Sequence, residues 1–257
     1  WFRRTADIPA SDARRAELER AFQFFDRVRE LIESEPIQGE QRAAHAALHF
    51  WLGRFRCELM DCVQGVGHLE IARAMGYRPV QTRLILGQTY ADSDTFAKAK
   101  QVFREAAYLA WKRVWAEKHG RRGAARTVLS DTHRADDLLA ETLLRLALLY
   151  VKGGIRIRQA EKLVRTATTR PGLFVPRRVA LRALVHEVLG RIHLADRNVG
   201  GALEELQKAL ELQPSPEGWS AMAMAQVEAA LGGEPERHLA EARQACDRAE
   251  RLDLKGT

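Results

Sequence analysis

The sequence predicts an all-α protein, an α-solenoid of about five stacked helix hairpins behind an N-terminal capping helix. Three observations carry that expectation. Proline is absent between Pro36 and Pro79 and again between Pro79 and Pro171, in stretches rich in Ala, Leu, Arg and Glu, which favour helix over strand. A pattern of small and large apolar residues recurs at an offset of 34 residues. Apolar residues make up 46% of the 257 and charged residues 29%, a globular balance that excludes wholesale disorder.

The elements follow in order. Ser11 reads as an N-cap, and Ala21, Phe22, Phe25, Val28, Leu31 and Ile32 form one apolar stripe of a helix over 12–34. Pro36 and Gly39 break it, and a helix over 40–60 follows. Residues 1–45 are thus an N-terminal segment with its capping helix. The repeats are expected at 46–79, 80–113, 138–174, 183–216 and 217–252, with an insertion at 114–137 and a tail at 253–257. The last helix, about 234–252, is polar on its outer side and caps the stack.

The recurrence is clearest in Leu86-Gly87-x-x-Tyr90 followed by Ala99-x-x-x-Phe103-x-x-Ala106. Moving back 34 residues gives Leu52-Gly53, then Gly65-x-x-x-Leu69-x-x-Ala72. Further on stand Leu189-Gly190-x-x-His193, then Ala202-x-x-x-Leu206-x-x-Ala209, closed by Pro214. Ala147-Leu148-x-x-Val151 with Ala160-x-x-x-Val164-x-x-Ala167 is a weaker copy, and Trp219 with Ala242-x-x-x-Cys246-x-x-Ala249 the last. Gly53, Gly87 and Gly190 let a paired helix approach closely, as do Ala99 and Ala202. Leu69, Phe103 and Leu206 fill the gap between hairpins. One hairpin cannot bury its apolar face, but a stack can.

The pattern resembles the tetratricopeptide repeat family over roughly residues 46–252. It departs from that family in spacing, since successive equivalent alanines lie 61, 42 and 40 residues apart, which places insertions near 117–137, 171–179 and 231–236. Tyr77 and Trp111 stand where the family has proline, and Arg83, His186 or His49 where it has an early aromatic. The resemblance implies a right-handed solenoid whose first helices line a concave groove for a peptide. Position by position, the groove residues are Phe50, Arg54, Leu84, Gln88, Arg145, Leu149, Lys152, Glu187 and Arg191. Some family members clamp a C-terminal carboxylate with Lys and Asn. Phe50, Arg54, Leu84 and Gln88 stand at those positions here, so that clamp is absent. The mixed lining suits a peptide with apolar anchors and a carboxylate or two. Charge reversal at Arg54 and Arg191 is expected to weaken capture and leave melting unchanged.

Charge is unevenly spread. The net is +7, but Asp196 to Thr257 carries seven basic and twelve acidic residues, so that part is −5 and the remainder +12. A basic insertion is built on Lys118, Arg121, Arg122 and Arg126, and a second basic run extends from Arg156 to Arg178. These suit an acidic partner: a protein segment, anionic lipid or nucleic acid, the last least favoured because no aromatic platform accompanies them. Cys57, Cys62 and Cys246 are too few for a disulfide scaffold and are expected as thiols, since a five-residue spacing points Cys57 and Cys62 apart on a helix. His45 and His49 have the i,i+4 spacing of paired metal ligands, but no third ligand stands at a recognisable offset. His186 and His193 read as histidines packed between helices. Gly153-Gly154, Gly200-Gly201 and the run Gly65-Val66-Gly67-His68 read as turns, and no phosphate loop, nucleophile elbow or protease signature is present.

The expected function is therefore a non-catalytic scaffold or adaptor, without cofactor or metal, that binds another protein or peptide segment in its groove. An assembly factor of a bacterial envelope or secretion complex is the favoured setting. The alternatives are a regulatory or sensor domain of a larger signalling or transcription-regulating protein, and binding of nucleic acid or anionic lipid through the basic face. The opening Trp1-Phe2-Arg3-Arg4, without Met, has the composition that borders the cytoplasmic end of a membrane helix. The expected location is the cytoplasm, or the cytoplasmic face of a membrane if an anchor precedes Trp1.

Overall fold

The structure, a computed structural model, describes residues 12–33, 39–59, 62–119, 135–154, 156–169 and 178–256. Among them are eleven helices and no strand. These are α1 (Asp12–Glu33), α2 (Gly39–Glu58), α3 (Cys62–Ala74), α4 (Pro79–Asp92), α5 (Phe96–His119) and α6 (Ala135–Lys152). They continue with α7 (Ile157–Thr169), α8 (Val179–Ala195), α9 (Val199–Leu212), α10 (Pro216–Gly232) and α11 (Pro235–Gly256). The chain divides into two compact units, one reaching to Val102 and one from Phe103 to Asp253. None of the described helices is long and apolar enough to cross a membrane.

Local signals set the helix ends. Asn198 accepts a hydrogen bond from the Gly201 amide at 3.1 Å and opens α9, and Ser215 accepts one from the Gly218 amide at 3.0 Å and opens α10. Pro216 occupies the first turn of α10, where its missing N–H costs nothing. Gly154, at φ 63°, turns the chain after α6. Arg78 precedes Pro79, which disfavours the right-handed region, and adopts φ 36°, ψ 61° before α4 begins.

In the first unit, α2 packs on α1 and α3, α4 packs on α3, and α2 touches α4. In the second, α6 packs on α7 and α8, α8 on α7, α9 and α10, and α9 on α10. Within each unit these contacts join helices that are neighbours or next-neighbours in the chain, which is consistent with a helical repeat array. The recurring positions form the contacts: Leu69 and Ala72, Ala99, Phe103 and Ala106, Ala160, Val164 and Ala167, and Ala202, Leu206 and Ala209 are all buried. The last copy departs. Ala242 and Ala249 are buried, Cys246 is exposed, and Ala245 joins the core with Leu206 and Ala221 instead.

Two expected turns are helical. Gly65-Val66-Gly67-His68 lies inside α3, and Gly200-Gly201 in the first turn of α9. The reason for Gly65 is closeness of helices rather than chain reversal. A Cβ on Gly65 would lie 2.6 Å from the Cys57 sulfur and 2.9 Å from the Gly53 carbonyl oxygen. A Cβ on Gly53 would lie 2.8 Å from the Gly65 carbonyl oxygen and 2.9 Å from the Leu69 amide. These obstacles are largely backbone, so α2 and α3 would have to part. Nothing lies within 4 Å of a Cβ at Gly67. Gly53→Ala is therefore expected to destabilise the first unit by about 2–3 kcal/mol through overpacking. Gly67→Ala should stabilise it by about 0.5–1 kcal/mol through helix propensity. Denaturant midpoints check both, and equal signs for the two substitutions would refute the close crossing.

Candidate functional site

In the second unit, an open groove of about 780 Å³ runs along α6, α8 and α10. These are the first helices of three successive hairpins, and they contact one another in series. α6 supplies Val151 and Lys152, α8 supplies Arg191, Leu194 and Ala195, and α10 supplies Ser220, Ala223, Met224, Val227 and Glu228. Cys246 of α11 completes the wall. Met224 and Val227, one turn apart on α10, are large apolar residues left half exposed. Lys152 is exposed in the last turn of α6, where the helix dipole favours a cation. Glu228 is exposed on α10. The groove thus offers an apolar wall flanked by one cation and one anion.

Of the residues expected from the sequence, Lys152 and Arg191 line this groove. Arg191 is not a free charge in it. It is 9% exposed, its Nε donates to Glu187 Oε1 at 3.1 Å, and its Nη2 donates to the Glu217 carbonyl oxygen at 2.8 Å. Glu187 is 8% exposed. The pair ties α8 to the first turn of α10 and so holds two walls of the groove together. Charge reversal at Arg191 would therefore lower the melting temperature, against the expectation that melting is unchanged. Leu149 is buried in the core, and Arg145 is half-buried on α6.

The other expected groove residues, Phe50, Arg54, Leu84 and Gln88, lie in the first unit. Phe50 is a core residue with Leu69, Ala72, Leu86 and Val102. Leu84 is buried. Arg54 donates from Nε to Glu58 Oε1 at 2.7 Å, and its guanidinium stands 5.6 Å from the centroid of Trp51. Arg78 stands 5.5 Å from the same centroid, so Trp51 is contacted by two guanidinium groups. Gln88 donates to Asp92 Oδ1 at 2.7 Å. Arg121, Arg122 and Arg126 of the basic insertion lie outside the described residues, as does the side chain of Lys118. α5 runs on to His119 and α6 begins at Ala135.

The histidine pair on α2 gains a third member. His49 Nδ1 lies 2.9 Å from His68 Nδ1, and His49 Nε2 lies 3.3 Å from His45 Nε2. His49 uses its two ring nitrogens on two different neighbours, so the rings form a chain and do not converge on one point. No group of three or more His, Cys, Asp or Glu among the described residues could hold a metal ion. Burial pushes the His49 pKa down to about 4, helped by the nearby His45, His68 and Arg29. Burial likewise pushes the Cys57 thiol up to about 11, which keeps it protonated and unreactive. In the second unit His186 Nδ1 lies 2.7 Å from Glu205 Oε2, and Lys208 reaches Glu205 Oε1 at 2.9 Å. Burial alone would raise the Glu205 carboxyl, but these two bonds outweigh it and hold it low.

Met224 and Val227 belong to the fifth hairpin, whereas the groove positions that the resemblance implies end with Arg191 on the fourth. A visible signal existed: Met224, Val227 and Leu231 recur at i, i+3 and i+7 and so share one face of α10, to one side of Ala221 and Ala225. No protein-family model matches the chain, and no curated protein matches it.

Proposed function

We propose that the array is a right-handed solenoid of the tetratricopeptide type, and that it works as a non-catalytic adaptor. A partner segment lies along α6, α8 and α10, inserts apolar side chains against Met224, Val227 and Leu194, sets a carboxylate toward Lys152 and a cation toward Glu228. The observation that carries this reading is the open groove on consecutive first helices, with half-exposed Met224 and Val227 in its wall. Helices fixed by the buried Arg191–Glu187 pair lower the ordering cost of binding, because the wall is preformed. The recurring buried alanines and glycines support the repeat assignment.

The test is selection of displayed peptides on the purified protein, followed by affinity measurement. Met224→Lys with Val227→Lys is expected to weaken the selected peptides about thirtyfold or more, on the scale of an interface anchor worth about 2 kcal/mol. Both side chains are half exposed, so helicity and melting should hold. Peptides that bind wild type and variant equally would end the assignment of this groove.

A further inference from the structure

The groove is not the most exposed apolar surface of the second unit. On α5, Tyr108 is 60% exposed, Trp111 51% and Trp115 54%. They stand at i, i+3 and i+7, within an arc of about 60° and a length of about 10 Å on one helix. The opposite side of α5 carries Phe103, Ala106, Ala110 and Val114, all buried. From residue 104 to 116 the exposed positions are Arg104, Tyr108, Trp111, Lys112, Trp115 and Ala116, with no acidic side chain among them. Arg104 is held in place by donating from Nη2 to the Tyr150 hydroxyl at 3.3 Å.

We infer that this face of α5 docks on an anionic lipid surface. Trp and Tyr combine an apolar body with a polar tip and settle at the level of lipid headgroups. A helix lying flat puts all three rings at one depth, while Arg104 and Lys112 reach acidic headgroups beside them. The charge of the face selects the partner. A second copy of the same face would set Arg104 and Lys112 against like charges, its one carboxylate, Glu105, being half-buried at the margin. A single strand of nucleic acid requires a groove that carries phosphates past stacked bases. The three rings stand along the exposed ridge of one helix, a shape that fits a flat interface.

The surface is separate from the groove, so the two assignments fail independently. The experiment is flotation of the full chain with phosphatidylcholine vesicles, with and without phosphatidylserine, across salt. Binding is expected only where phosphatidylserine is present and should fall as salt rises. Arg104→Gln with Lys112→Gln should lower the partition about ten- to thirtyfold, the effect of two basic side chains at an acidic surface. Trp111→Ser with Trp115→Ser should abolish it, with the circular dichroism unchanged. Val63→Ser, at an exposed apolar position on α3, should leave it unchanged. The inference is overturned by absence of binding to acidic vesicles, by equal binding of the tryptophan variant, or by aromatic-dependent binding to single-stranded RNA or to a second copy in place of vesicles.

Discussion

Replacing Glu187 with alanine is expected to destabilise the second unit by about 3–5 kcal/mol, the cost of stranding one partner of a buried ion pair. Arg191 would remain charged at 9% exposure with only the Glu217 carbonyl as an observed acceptor. Glu187→Leu combined with Arg191→Met should recover most of that loss, because apolar residues of similar volume leave no uncompensated charge. Denaturant unfolding of Glu187→Leu, Arg191→Met and their double, beside Glu187→Ala, gives the coupling directly. A single-variant loss below about 1 kcal/mol, or a double equal to the sum of the singles, would refute a desolvated pair. The experiment also separates two roles of Arg191. If it shapes the groove by fixing α8 to α10, the double variant regains stability but binds peptides less tightly, since the tie to Glu217 is gone.

The second large effect is on acid stability in the first unit. The folded pKa of His49 is about 4, against an ordinary value of 6.5. Between those values the unfolded chain binds the proton and the folded chain does not. Stability from this group is therefore complete above pH 6.5 and is lost as pH falls toward 4, by about 3 kcal/mol over the whole window. Protonation is opposed from three directions: His45 on the same helix, His68 on α3 and Arg29 on α1. It also disturbs the chain of bonds, because a doubly protonated His49 can accept at neither ring nitrogen, whereas a neutral ring accepts at one of them. The Nδ1 atom of His45 is buried without a partner, so that ring has no good way to compensate. Hydrogen exchange of α2 amides from pH 7 to 4 should show protection falling steeply, and His49→Leu should flatten the profile. A flat profile in the unmodified protein would exclude a neutral buried ring.

The parts of the fold that were legible in the sequence are those where one residue type answers one geometric demand. Ala99, Ala160 and Ala202 are small residues fully buried at equivalent positions, and Phe103, Val164 and Leu206, one turn on, are buried beside them. Their spacing identifies the hairpins without knowledge of any partner helix. Gly65 and Gly67 were harder, because glycine serves turns and helix crossings alike, and only the position of Gly53 across α2 decides between them. The site was less legible than the fold. Arg191 and Glu187 look like two groove charges in sequence, and their i,i+4 spacing equally allows the internal pair that forms. Trp111 stands where the resemblance implies a proline. Periodicity groups it with Tyr108 and Trp115 within an arc of about 60°, and all three are exposed.

The chain-local packing of the second unit has a mechanical corollary. Its helices touch those one or two steps away in sequence, and contacts of that kind carry load in series. Pulled lengthwise, such an assembly yields one hairpin at a time and re-forms quickly when released, because few distant segments have to find each other again. If the groove on α6, α8 and α10 holds a segment as proposed, unravelling any one of these hairpins removes one wall of it.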